Sequence, residues 1–135
     1  MHDGTGALEF YAKAFGATES MRFPAPGGKI GHAEIKIGDS PIMLADEFPD
    51  MGYRSAQALG GSPVSILLYV EDVDARFSRA TAAGATVLRP VEHQFYGDRS
   101  GTLKDPFGHV WTIATHVEDV SPEEMQRRAE AMQKA

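Results

Sequence analysis

At 135 residues, 42% hydrophobic and 24% charged, the chain has the composition of one globular domain able to bury a core. Its formal net charge of −6, with 13 basic residues scattered along the chain, argues against a nucleic-acid backbone as partner. The absence of cysteine excludes disulfides, thiolate nucleophiles and Cys-ligated zinc, and the longest apolar run, Ile66 to Val70, is too short to span a bilayer.

Gly4 to Phe15 places Leu8, Tyr11 and Phe15 at i, i+3 and i+7, the spacing of an amphipathic helix. Gly16 sits where a left-handed cap would end it. Strands are expected at Glu19–Pro24, Ile30–Ile37 and Pro41–Ala45, with turns at Pro26-Gly27-Gly28 and Gly38-Asp39-Ser40. Residues 47–62 show little periodicity and read as a linker. Its Phe48, Met51 and Tyr53 either close over a pocket or pin the loop to the surface. Val64 to Val70 reads as a strand, and Asp72 caps a helix running to about Ala83. Further strands are expected at Thr86–Val91, Ser100–Lys104 and His109–Ala114. Asp105-Pro106-Phe107-Gly108 has the residue order of a four-residue turn, and Trp111 is expected to pack on a helix as core. Ser121, Pro122 and Glu124 start a last helix, 121–134. Its Met125, Ala129 and Met132 form an apolar stripe for the domain or a partner subunit, flanked by Glu123/Arg127, Glu124/Arg128 and Glu130/Lys134 at i, i+4.

The chain repeats itself. Phe15-Gly16-Ala17-Thr18 and Ala83-Gly84-Ala85-Thr86 lie 84 − 16 = 68 residues apart, and the match reaches back through Ala12/Ala80 and Ala14/Ala82. Each copy reads as β-α-β-β-β: module one at about 1–46 and module two at 63–117. At that offset the counterpart of strand Val64–Val70 falls mostly ahead of Met1, so either the start site is misassigned or trimmed or module one has lost its first strand. A lost strand leaves an open sheet edge, and a homodimer is the expected way to cover it.

The segment Asp105-Pro106-Phe107-Gly108-His109-Val110-Trp111-Thr112-Ile113-Ala114-Thr115-His116 resembles the closing hairpin of the vicinal-oxygen-chelate superfamily. That superfamily includes glyoxalase I, fosfomycin and bleomycin resistance proteins, and extradiol dioxygenases; the nearer resemblance is to its PhnB-like branch. It covers residues from about 4 to 117. The resemblance implies an α+β fold in which two tandem βαβββ modules form a curled mixed sheet around a shared pocket, here with an extra C-terminal helix. It also implies His and Glu metal ligands on the first and last strands of each module. Carried onto this chain, those positions fall on Ser65, Thr112 and Leu44, with the fourth ahead of Met1. Hydroxyls and an alkyl group do not hold a catalytic divalent ion, so neither a metal nor another cofactor is expected. The alternative is a metal-dependent lyase, isomerase or dioxygenase with a shifted ligand set such as His32, Glu34 and Asp46. A third reading makes Asp46 or a histidine the general base of a metal-free enzyme.

By strand parity Ser65, Leu67, Tyr69, Leu44, Asp46, Val110, Thr112 and Ala114 are expected to face the pocket. Apolar residues with a few hydroxyls suit a small-molecule cleft. Tyr96 and Arg99, within the PhnB-like segment His93 to Arg99, are added to the set. Arg99 either anchors a ligand oxyanion or pairs with Asp98 or another acid. His109 and His116 are assigned the parity of Trp111, opposite to Thr112, as structural groups; His2 likewise faces away. The expected function is metal-free binding of a small, partly apolar ligand by a cytoplasmic protein with no membrane partner.

Overall fold

A computed structural model describes residues 1–134. Helix α1, Gly4–Phe15, starts where the Asp3 side chain accepts from Gly6 N. It ends at Gly16, whose φ of 66° needs a residue without Cβ. Its inner face buries Leu8, Phe10, Tyr11 and Phe15. Strands β1 (Thr18–Ala25), β2 (Lys29–Ile37) and β3 (Ser40–Leu44) follow as an antiparallel sheet in the order β1-β2-β3. Along β2, Ala33, Ile35 and Ile37 alternate into the core while Glu34 and Lys36 face out.

The linker is more ordered than its composition suggests. Phe48 and Tyr53 exchange main-chain hydrogen bonds, and Ala56–Leu59 forms a short helix, α2, capped by Ser55. In module two, β4 (Ser65–Tyr69), α3 (Val73–Ala83), β5 (Thr86–His93), β6 (Asp98–Lys104) and β7 (Val110–His116) build a four-stranded sheet, β4-β7-β6-β5. Strand β4 runs parallel to β7, while the other pairs are antiparallel. The two helices pack together, and the core lies between them and one face of each sheet. Trp111 is its largest fully buried side chain, 4.7 Å from the Phe15 ring, as its parity predicts.

Hydrogen bonds register the repeat more finely than the glycines do. Met1 N donates to Ala45 O at 2.8 Å, and Val70 N donates to Ala114 O at 2.8 Å. The Asp46 carboxylate receives Gly4 N, and the Thr115 hydroxyl receives Val73 N. Each correspondence is 69 residues (70 − 1, 114 − 45, 115 − 46, 73 − 4). The offset is 68 only between the helix ends and the closing hairpins. Helix α1 has 12 residues and α3 has 11, which removes one; the loop from Lys104 to Val110 is one residue longer than that from Lys36 to Pro41, which restores it. Thr112 therefore corresponds to Met43, and Leu44 corresponds to Ile113, facing the helices. On the side where β7 receives β4, no strand of the described residues pairs with β3.

Helix α4, Pro122–Gln133, is capped by Ser121. Of the expected i, i+4 pairs, Glu124 with Arg128 forms, and Glu124 also binds Arg127. Arg128 ties the helix to the domain through Glu118 and the Phe95 carbonyl, while Met132 stays exposed.

Candidate functional site

The second sheet turns one face to the helices and one to solvent. Leu68, Trp111, Ile113 and Leu103 line the helix face, so Ser65, Leu67 and Tyr69 on β4 point outward. Cross-strand pairing aligns Leu67 with Thr112 and Thr102, Tyr69 with Ala114 and Ser100, and His116 with Asp98. Thr102 and Thr112 share a hydroxyl–hydroxyl bond of 3.1 Å. The Tyr69 hydroxyl donates to Asp98 Oδ2 at 2.7 Å, and His116 Nδ1 lies 3.0 Å from Asp98 Oδ1. His116 Nε2 reaches Asp119 at 2.7 Å. Hydrogen bonds to Asp119 and then Asp98 raise the His116 pKa above its usual value. The bond to Asp98 likewise raises that of the Tyr69 phenol. Asp98 is buried, whereas Leu67 and Tyr69 are more than half exposed, so an anchored polar group sits beside accessible apolar surface.

Of the expected site residues, Ser65, Leu67, Tyr69 and Thr112 come together on this face. Leu44 does not: it is buried, paired with Ala33, because the longer closing hairpin of module two shifts the register by one. Asp46 does not either. Its carboxylate staples module one, accepting from Gly4 N at 2.6 Å and Ile30 N at 2.7 Å. Arg99 points to the helix side and binds Asp74 of α3 through two bonds of 2.8 Å. The internal ion pair forms with Asp74 rather than Asp98. Tyr96 packs edge-on against Phe95 in the turn between β5 and β6, and it lies near enough to Tyr69 to add to the upward shift of that phenol.

Asp98, Ser100, Thr102 and His116 were absent from the expected set. For His116 the signal is simple: Thr112, Ala114 and His116 are two residues apart on an unbroken strand, so His116 shares the face of Thr112 and not that of Trp111. His109 does sit by the turn, its amide donating to Asp105 Oδ1 at 3.0 Å. The His2 ring lies tilted against Phe107, 5.5 Å between ring centres.

The shifted ligand set is split. His32 and Glu34 are 3.1 Å apart on the outer face of the first sheet, while Asp46 is occupied on the helix side. No three His, Asp or Glu side chains among the described residues are grouped to hold a metal. At the positions where the resemblance implies ligands, the corrected register leaves Ser65, Thr112 and Met43. Two neutral hydroxyls and a thioether do not suit a hard divalent ion.

Two clefts border the sheets. One of about 910 Å³ lies between the β2–β3 turn, the end of β4 and the start of α3, with Tyr69 and His116 in its wall. The other, about 610 Å³, is lined by Met1, Ala45, Phe48, Met51 and Tyr53, so the linker aromatics do border a pocket.

Residues 2–113 are matched by the model of the Glyoxalase/Bleomycin resistance protein/Dioxygenase superfamily. The chain belongs to this superfamily. An uncharacterized protein of Mycobacterium bovis is 47% identical over 127 residues, 92% of this chain and 84% of that protein. Among solved structures, TioX from Micromonospora sp. ML1 superposes with a TM-score of 0.68 at 28% identity, covering 90% of this chain and 94% of that one. A gene product from Arabidopsis thaliana gives 0.60 at 30% identity, over 79% and 82%. The superfamily fold accounts for the two sheets and their helices. No helix among the described residues is long and apolar enough to cross a membrane.

Proposed function

We propose that this superfamily member, of the PhnB-like branch, is a metal-free protein that binds a small, partly apolar molecule on the outer face of its second sheet. The observation that carries the reading is the Tyr69–Asp98–His116 network beside exposed Leu67. Leu67 and Val110 supply apolar contact, while Tyr69, His116, Ser65 and Thr112 supply directional polar groups. The Ser65, Thr112 and Met43 donor set supports the metal-free part of the reading. Asp98 holds the phenol and the imidazole in place before ligand arrives, so less ordering is lost on binding. The reading includes a homodimer, in which a second chain would cover a sheet edge's N–H and C=O groups.

Titration with small, partly apolar compounds, bleomycin-type glycopeptides among them, tests the reading by calorimetry and amide NMR. Saturable binding with shifts at Leu67, Tyr69 and Thr112 is expected. Turnover of a compound without saturable binding, or a divalent ion retained stoichiometrically through dialysis, overturns it. Sedimentation that gives a monomer at every concentration removes the dimer.

A further inference from the structure

Four of the eight arginines of this chain are matched to carboxylates among the described residues. Arg22 pairs with Glu19, Arg99 with Asp74, Arg127 with Glu124, and Arg128 with Glu118 and Glu124. Of the other four, Arg76 is set apart by burial. Its Nη1 is buried and has no hydrogen-bond partner. A buried donor left unpaired is costly, which points to an acceptor that arrives from outside the chain.

A second guanidinium converges on the same spot. A Cβ built on Gly16 would lie 2.9 Å from Arg76 Nη1 and 3.6 Å from Arg79 Nη1, so both heads gather over the glycine that ends α1. Arg79 donates to the Ala12 carbonyl at 3.2 Å, and neither arginine forms an ion pair among the described residues. The C-terminal dipole of α1 offsets only part of two full charges.

Both arginines line the cleft of about 910 Å³, together with apolar Ile37 and Leu68. That volume accommodates a small organic molecule. Asp39, Glu71 and Asp72 line the same cleft and would repel a multiply charged anion. A planar guanidinium matches a single carboxylate through two parallel bonds.

We infer that Arg76, assisted by Arg79, forms a binding site for the carboxylate of a small, largely apolar monoanion. The site stands independently of ligand binding on the outer sheet face, although Tyr69 and His116 border both.

Sodium benzoate titrated into the full chain at constant ionic strength, with arginine Nε resonances observed, tests it. The expected result is a saturable shift of Arg76 and Arg79, weakened about tenfold in Arg76→Gln, the loss of one charge-assisted pair. Arg76→Lys keeps the charge but loses the fork, and weakens binding severalfold. Equal affinity in wild type and Arg76→Gln, or no saturable shift of Arg76, overturns the site. Tighter binding of inorganic phosphate than of benzoate overturns the carboxylate class. Should Arg76→Gln not fold, Arg79→Gln and the wild-type Nε shifts decide in its place. Amides of Leu67 and Thr112 stay unmoved by benzoate, so failure here and failure of the outer-face reading read out separately.

Discussion

Tyr69 and Asp98 sit on strands that do not touch, with β7 between them, yet the phenol donates to the carboxylate at 2.7 Å. The bond spans the sheet diagonally, and His116 on the middle strand takes the other carboxylate oxygen at 3.0 Å. One buried acid thus orients two polar side chains that remain accessible.

Tyr69→Phe is expected to weaken ligand binding about tenfold, the loss of one charge-assisted hydrogen bond and its positioning, with the fold retained. Calorimetry on the variant checks it. The His116 imidazole, held between Asp119 and Asp98, titrates above its ordinary value, and Asp119→Asn lowers its midpoint. Because the folded pKa is raised, the stability it contributes is present below the unfolded value and is lost as pH rises through the folded one. Imidazole NMR against pH reads this directly.

Asp105 is buried and accepts from Tyr11 Oη at 2.6 Å, Trp111 Nε1 at 2.9 Å and the amides of Phe107 and His109. Burial would raise its pKa, but hydrogen bonds involving His109, Tyr11 and Trp111 outweigh it and hold the pKa below the usual carboxylate value. Its stability is therefore present above the unfolded pKa and lost as pH falls through the folded one. Asp105→Asn turns an acceptor into a partial donor facing donors and is expected to cost about 3 kcal/mol in urea unfolding.

Asp46 and Thr115 hold equivalent places, each receiving the first amide of its module's helix. Thr115→Val is expected to cost about 1 kcal/mol, an ordinary lost cap. Asp46→Ala also strands Ile30 N and is expected to cost about 2 kcal/mol. Neither substitution should alter binding on the outer face, which calorimetry on both variants checks.

Gly101 lies against α3: a Cβ there would meet Phe77 Cε2 at 2.7 Å and Val91 at 3.0 Å. Gly101→Ala is expected to destabilise by about 1–3 kcal/mol through overpacking. Adding Phe77→Leu should recover part of that loss, and a double-mutant cycle on thermal unfolding measures the coupling.

Most of the second module was legible without coordinates. The apolar run from Ile66 to Val70 and the Asp-Pro-Phe-Gly turn are local signals that locate two strands, and the two-residue period of a strand puts Ser65, Leu67 and Tyr69 on one face and Thr112 with them. Leu44 and Asp46 lie off that face for a non-local reason, Asp46 lining the second cleft instead. Their parity was carried from module two through a repeat offset, and one extra residue in a hairpin reverses every side chain beyond it.

Helix and strand positions, the duplicated module and the superfamily follow from the order of residues, because turn chemistry and periodicity act over a few neighbours. Which acid each arginine binds, and whether a carboxylate caps a helix or faces a cleft, follow only from packing. Arg99 stands next to Asp98 in the chain, yet consecutive strand residues point to opposite faces. Asp98 therefore meets Tyr69 and His116 while Arg99 crosses to Asp74, 25 residues away.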